Sequence, residues 1–301
     1  MRRPASLSCR VGSPPPPGAA DSERRVRFVK VEGAGNDYVL VEGPVADPAS
    51  LARRVSHRHL GVGSDGLLLM GPAGDGQHAS MRIFNADGSE GLMCGNGLRC
   101  VVRWLVERRG VSDDVLSVLT ASGPRRGRIG SDGRVSVSMG EPSFVPEQIP
   151  ARLAPGPAGP PELPLPPELA VDPPLAYAVS TGNPHLVLRV ADVDALDLPA
   201  LGSRLQADPR LPKGANVHLV QREGAARLRV RPFELGSGAT LACGTGAVAV
   251  VAVARALGWV DQDEVTVAMP GDVLAVRWSG QGEAWLTGPA RLVFDGEWPD
   301  A

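Results

Sequence analysis

At 301 residues the chain is long enough for two domains of ordinary size, each burying its own core. A net charge of -2, with 43% hydrophobic and 21% charged residues, excludes a general attraction to nucleic acid or anionic membrane and leaves small molecules as the expected partners. No run approaches the roughly 20 consecutive apolar residues of a membrane span, and 37 glycines with 29 prolines suit tight turns and strand ends better than a helical bundle.

Residues 1–25, with Arg2, Arg3 and the proline run 14–17, lack the apolar core of a secretory signal and are read as a disordered extension in preference to a transit peptide. A strand begins at Val26, turns at Gly33-Ala34-Gly35-Asn36-Asp37 and resumes at Tyr38. Asp47-Pro48-Ala49-Ser50 caps a helix running to about His57, and strands follow at 67–70 and 80–85. The pattern predicts a helix from Gly97 to near Gly110. Near Gly123 the chain is expected to cross into a second domain, which opens with the alternating strand 134–139. The proline-rich stretch 147–174 is read as a surface loop. Later strands are expected at 186–190, 217–220, 226–230, 265–267 and 273–278. Residues 247–257 are apolar on nearly every face, so a helix there must be buried all round. The fold class is therefore α+β (mixed α/β). Its division is an extension 1–25, an N-terminal domain 26–123 completed by the segment 290–301, and a C-terminal domain 124–289.

Two cysteines stand in matching frames. Arg82-Ile83-Phe84-Asn85 leads to Met93-Cys94-Gly95-Asn96-Gly97, and Arg231-Pro232-Phe233-Glu234 leads to Ala242-Cys243-Gly244-Thr245-Gly246, each pair offset by 149 (94 to 243). A second echo, Gly35-Asn36-Asp37 against Gly182-Asn183-Pro184, is offset by 147 (35 to 182). The chain reads as two copies of one domain, each presenting a thiol at a helix start. The N–H groups there carry partial positive charge, which favours thiolate over thiol and holds an anion beside it. Two such thiols across a cleft can take a proton from one face of a carbon and return one to the other. Four cysteines in a chain this long suggest a reducing compartment, the cytoplasm, rather than a disulfide scaffold. Cys100 lies within an apolar helix and is read as a buried hydrophobe, and Cys9 lies in the extension.

These segments resemble the diaminopimelate epimerase family of pyridoxal-phosphate-independent racemases. The resemblance rests on Gly33-Ala34-Gly35-Asn36-Asp37-Tyr38, Phe84-Asn85-Ala86-Asp87-Gly88-Ser89-Glu90 with Cys94-Gly95-Asn96-Gly97, Thr181-Gly182-Asn183-Pro184-His185, Asn216-Val217, and Leu241-Ala242-Cys243-Gly244-Thr245-Gly246-Ala247. It implies two pseudo-symmetric domains, each a curled, mostly antiparallel sheet around a central helix, with the active site between them and usually a homodimer. It also implies that Cys94 and Cys243 are the acid/base pair, without cofactor or metal. The N–H groups of Gly95, Asn96, Gly244 and Thr245 would hold the reacting carboxylate. Asn36, Asn85, Asn183 and Asn216 would bind polar groups of an amino-acid substrate, Glu234 would lie against an amino group, and His185 would stand near the site. His57 and His59 are read as ending a helix rather than as a metal pair.

The family pattern Glu-Arg-Gly-x-Gly-Glu-Thr before the second cysteine is replaced here by Glu234-Leu235-Gly236-Ser237-Gly238-Ala239-Thr240. The resemblance makes that arginine the clamp for the distal carboxylate of diaminopimelate, a contact an apolar Leu235 does not supply and for which Arg58 or Arg231 is the alternative source of charge. The expected reaction is inversion between L,L- and meso-diaminopimelate, in lysine and peptidoglycan precursor synthesis. The alternatives are a racemase of an amino acid without a distal carboxylate, and a non-catalytic small-molecule binding protein of the same fold.

Overall fold

The computed structural model describes residues 24–169, 171 and 173–300. Most of the expected extension, with Cys9, lies outside the described residues. Its last two positions, Arg24 and Arg25, instead open strand β1 (Arg24–Gly33), where they pair with Asp300 and Pro299.

β1 folds back on β2 (Asn36–Glu42) through the two-residue turn Ala34-Gly35. Both turn residues have positive φ (58° and 89°), as a turn matched to strand twist requires. Gly35 adopts this freely, whereas Ala34 is strained at about 1–2 kcal/mol and is fully buried beside the cleft. Helix α1 (Pro48–Ser56), with Asp47 as its cap and Pro48 in its first turn, carries the chain to β3 (Gly66–Gly71), which runs parallel to β2. β4 (Ala79–Asn85) pairs antiparallel with β3, and the two-residue β5 (Glu90–Gly91) folds onto β4. Helix α2 (Gly95–Arg109) then ends at Gly110, whose left-handed φ of 65° closes the last turn. β6 (Leu116–Thr120) lies parallel to β4, and β7 (Gly123–Ile129) and β8 (Val135–Gly140) extend the sheet antiparallel.

The same route is taken again. After β9 (Glu162–Pro164), β10 (Leu175–Ser180) and β11 (Pro184–Arg189) form a hairpin, and α3 (Leu198–Gln206) crosses to β12 (Asn216–Gly224), parallel to β11. β13 (Arg227–Glu234), the short β14 (Gly238–Ala239) and α4 (Gly244–Ala256) follow. β15 (Glu264–Ala268) then lies parallel to β13, and β16 (Val273–Arg277) and β17 (Ala284–Gly288) extend antiparallel. The strand sequence β1 to β8 thus maps onto β10 to β17, and β8 pairs with β17, joining the copies edge to edge. The flanking strands are exchanged. β9 follows the first copy but pairs with β10, and β18 (Arg291–Asp300) follows the second but pairs with β1.

The proline-rich stretch departs from the expected surface loop. It contains β9, and Ile149 and Leu163 are fully buried in a cluster with Leu186, Leu201 and Val217. Prolines forbid ladder donors at their own positions but leave the residues between them free to pair and pack. Helix α4 is buried at every position from Gly244 to Ala254, as its long apolar run demands. Its Ala and Val side chains share one continuous core with α2 and strands of both copies, so the two helix starts are fixed relative to each other by packing.

Candidate active site

Each helix begins on a cysteine. Cys94 is the N-cap of α2, with extended backbone (φ -141°) and its Sγ accepting from Gly97 N–H at 3.2 Å. Cys243 caps α4 in the same way, with φ -131° and Sγ accepting from Gly246 N–H at 3.3 Å. A sulfur here takes the place of the usual Ser or Asp oxygen and accepts one of the N–H groups that a helix start leaves unused. The N–H groups of Gly95 and Asn96, and of Gly244 and Thr245, occupy the first two helical positions, where no intrahelical acceptor exists.

Both thiols open on one cavity of about 960 Å³. Of the expected site residues, Asn36, Asn85, Gly95, Asn96, Asn183, Asn216, Glu234, Leu235 and Thr245 line it. Gly244 stands one step back. A Cβ there would lie 2.9 Å from Asn96 Oδ1, so only a glycine lets the two helix starts approach this closely.

The polar lining is held from behind. Asn96 Nδ2 donates to Asn36 Oδ1 at 2.6 Å, and Asn36 Nδ2 donates to Asp65 Oδ2 at 2.9 Å. Asp65 and Asp37 share the Arg58 guanidinium (2.7 and 2.8 Å), and Lys30 also bonds Asp37. Burial alone would raise the Asp37 carboxyl, but Arg58 and Lys30 outweigh it and hold the group below its usual range. Asn216 Oδ1 accepts from Leu235 N–H at 2.8 Å, fixing the loop before the second cysteine. Thr240 Oγ1 donates to Glu234 Oε1 at 2.5 Å, and Asn85 Nδ2 donates to Ser89 Oγ at 2.9 Å. His57 Nδ1 accepts the N–H groups of His59 and Leu60, ending α1 as expected.

The thiols differ in what they face. Tyr38 Oη lies 3.1 Å from Cys94 Sγ. Burial raises the tyrosine hydroxyl well above its ordinary value, so it stays protonated and donates. Burial raises Cys94 as well, opposed by the Tyr38 and Gly97 donors. Cys243 is pushed up further, first by burial and then by the neighbouring Glu234 carboxylate, with Thr245 Oγ1 at 3.5 Å as a weak partner. Burial likewise raises the Glu234 carboxyl. Cys100 is fully buried and its thiol is raised by burial, which suits a packing role.

His185 does not line the cavity. It lies fully buried beneath it, against His218, with His185 Nδ1 and His218 Nε2 2.9 Å apart. Together with Cys243 these residues bring three potential metal ligands within 4.8 Å. Two nitrogens on one tetrahedral zinc stand about 3.3 Å apart, with lone pairs converging on the metal, whereas these two face each other across a single proton. The arrangement is a hydrogen-bonded pair. Tyr38, Thr240 and His218 were not among the expected site residues. A signal existed for Tyr38, because the offset of 147 that matches Asn36 with Asn183 also matches Tyr38 with His185.

The profile of the diaminopimelate epimerase family matches residues 28–145 and 177–293. A diaminopimelate epimerase of Synechocystis is 40% identical over 283 residues, covering 90% of this chain and 98% of its own length. That of Alkalilimnicola ehrlichii is 41% identical over 280 residues, covering 91% and 98%. Among solved structures, a hydroxyproline epimerase from Agrobacterium vitis shares the fold at a TM-score of 0.66 with 15% identity, covering 92% of this chain and 93% of its own. A phenazine biosynthesis protein from Bacillus anthracis does so at 0.64 with 16% identity, covering 91% and 99%. On the extent of the sequence match, the chain belongs to the diaminopimelate epimerase family.

Proposed function

We infer that the protein is a diaminopimelate epimerase, interconverting the L,L and meso forms at one α-carbon without a cofactor, in lysine and peptidoglycan precursor synthesis. The observation that carries this is the pair of cysteine-capped helix starts opening on one cavity, in a chain about 40% identical to curated diaminopimelate epimerases over nine-tenths of its length.

The chemistry follows from that geometry. The substrate α-carboxylate binds at the unused N–H groups of Gly95, Asn96, Gly244 and Thr245. As the α-proton leaves, charge grows on the carboxylate oxygens, and donors aimed there are worth about 3–4 kcal/mol each. One cysteine, as thiolate, takes the α-proton and becomes a thiol. The other, as thiol, gives its proton to the opposite face and becomes a thiolate. The centre is inverted, and the two cysteines have exchanged protonation states. Asn36, Asn85, Asn183, Asn216 and Glu234 orient the remaining polar groups.

One observation favours a second reading, a racemase for an amino acid without a distal carboxylate. Leu235 is half exposed and lines the cavity together with the exposed Leu92 and Leu241, and Arg58, which also lines it, is already shared by Asp37 and Asp65. We propose further that two copies associate and that the protein works in the cytoplasm, where its thiols stay reduced. Light scattering and cell fractionation test these two points.

The deciding experiment incubates the reduced protein with diaminopimelate isomers and a panel of other amino acids in heavy water, following α-hydrogen exchange by NMR. Exchange and inversion of diaminopimelate, lost in Cys94→Ala and Cys243→Ala, is the expected result. Exchange confined to another amino acid selects the second reading. No exchange with any amino acid, or activity surviving both substitutions, overturns the two-thiol mechanism.

A further inference from the structure

The two copies place different groups beneath their thiols. In the first, β2 and β3 align Tyr38 with Gly66 and Leu40 with Leu68; in the second, β11 and β12 align His185 with Asn216 and Val187 with His218. Tyr38 therefore corresponds to His185, and Leu68 to His218. The glycine contacts agree. A Cβ on Gly97 would meet Leu68 Cδ2 at 2.8 Å, and one on Gly246 would meet His218 Cε1 at 2.2 Å. Where the first copy packs a leucine under its helix start, the second packs an imidazole.

The protons of this pair can be placed by exclusion. Thr181 Oγ1 has one proton, directed to Thr245 O (3.3 Å) or Asn183 Oδ1 (3.4 Å), both acceptors only. His185 Nε2 lies 2.8 Å from Asn183 Oδ1, an oxygen that only accepts, so His185 carries its proton on Nε2. Thr181 Oγ1, 3.0 Å from the same nitrogen, accepts from that N–H as well. Burial keeps both rings neutral, with His185 lowered well below its ordinary value and His218 lowered to about 3. His185 Nδ1 is then a bare lone pair, and the proton between the rings belongs to His218 Nε2. That leaves His218 Nδ1 as a lone pair too, and it is the ring atom that is buried without a partner. A buried acceptor left unpaired is tolerated more often than an orphaned N–H.

We propose that His218 is a positioning residue for the reaction: by donating from Nε2 to His185 Nδ1 it fixes His185 as the Nε2–H tautomer, which holds the Asn183 carboxamide with its oxygen turned inward and its N–H groups facing the cleft. Asn183 lines the cavity, so the arrangement determines that this point of the wall donates to a substrate oxygen rather than accepting from an N–H. The proposal rests on the reading of the cleft as an amino-acid epimerase site.

The test compares wild type with His218→Leu, which gives the second copy the leucine that the first carries at Leu68, and His218→Gln, which retains a donor. Imidazole ¹⁵N spectra of the wild type should show both rings neutral and protonated on Nε2, unchanged between pH 6 and 9. In His218→Leu the His185 Nδ1 signal should move toward that of an unbonded nitrogen, and in His218→Gln it should stay near the wild-type position. KM should rise about fivefold or more in His218→Leu, the equivalent of one neutral hydrogen bond. The kcat should change less than twofold, because the contact serves ground and transition states alike, and His218→Gln should restore KM. A wild-type His185 protonated on Nδ1, an unmoved His185 signal in His218→Leu, or a loss confined to kcat overturns the proposal. A wild type that inverts no amino acid refutes the proposed function but leaves the proton arrangement to be decided by the spectra.

Discussion

Replacing Tyr38 by Phe removes the hydroxyl that faces Cys94 and leaves the buried ring in place. A hydrogen bond to a charged group is worth about 1.5–3 kcal/mol, and about 1.4 kcal/mol corresponds to one pKa unit. The Cys94 thiol, already raised by burial, should therefore rise further as its thiolate loses that stabilisation. At pH 7.5 the thiolate fraction should fall by the corresponding factor, about 10–100-fold. The rate of iodoacetamide alkylation of Cys94, resolved from Cys243 by peptide mass spectrometry, reads this fraction. Cys243 serves as the internal control. Its partners are Gly246 N–H, Thr245 and Glu234, whereas the Tyr38 hydroxyl bonds Cys94, so the Cys243 rate should change less than twofold. An unchanged Cys94 rate would refute the argument that the phenol supports the thiolate. An equal fall at both cysteines would instead mean that the substitution disturbed the cleft as a whole.

Three further outcomes are expected. Leu235→Arg should lower KM for diaminopimelate about tenfold, as one charge-assisted pair at a half-exposed position; no change, in steady-state kinetics with an efficient wild type, would place the distal carboxylate elsewhere. His218 is neutral in the fold to about pH 3 but takes up a proton near pH 6.5 when unfolded, so its contribution to stability is full above 6.5 and is lost as pH falls. Between pH 6.5 and 4.5 the wild-type unfolding free energy from urea titration should fall about 1.4 kcal/mol per pH unit more steeply than that of His218→Leu, and equal slopes would contradict the neutral assignment. Gly246→Ala must displace the wedged His218 ring, whereas Gly97→Ala meets the flexible end of Leu68 at 2.8 Å and Cys94 Sγ at 3.3 Å. Thermal melts should show the first costing about 2–3 kcal/mol and the second about 1 kcal/mol or less.

The parts of the site that were legible in the sequence are those whose chemistry is local. A cysteine followed by Gly-x-Gly is both the cap and the first turn of its helix, so the chemistry of Cys94 and Cys243 could be read without knowing the fold. Helix α4 was legible for the same reason, since an unbroken run of alanines and valines from Ala247 to Ala254 leaves no face for water. What escaped depends on register between distant strands. His218 reads as an ordinary strand residue until β12 is laid parallel to β11 and the neighbouring His185 appears. β9 escaped because prolines mask a strand whose pairing is supplied by β10, and β1 started two residues early because its partner is the last strand of the chain.

A duplicated fold poses a problem for two-base inversion that the unequal residues answer. At every instant one thiol must be charged and the other neutral, yet a symmetric site gives no preference. Here Tyr38 favours the charged form of Cys94, while Glu234 disfavours the charged form of both thiols and presses hardest on Cys243. The two effects act in one direction, so Cys94 ionises more readily than Cys243. The bias has a ceiling, because each pKa unit of difference stabilises one resting state by about 1.4 kcal/mol and adds as much to the barrier of the direction that must start from the other. Glu234 is itself raised by burial and bonded to Thr240, and in the proposed binding mode a substrate amino group against it would remove part of its repulsion on Cys243. Binding thus narrows the difference between the thiols when the proton is to cross, and the asymmetry of the empty site need not become an asymmetry of turnover.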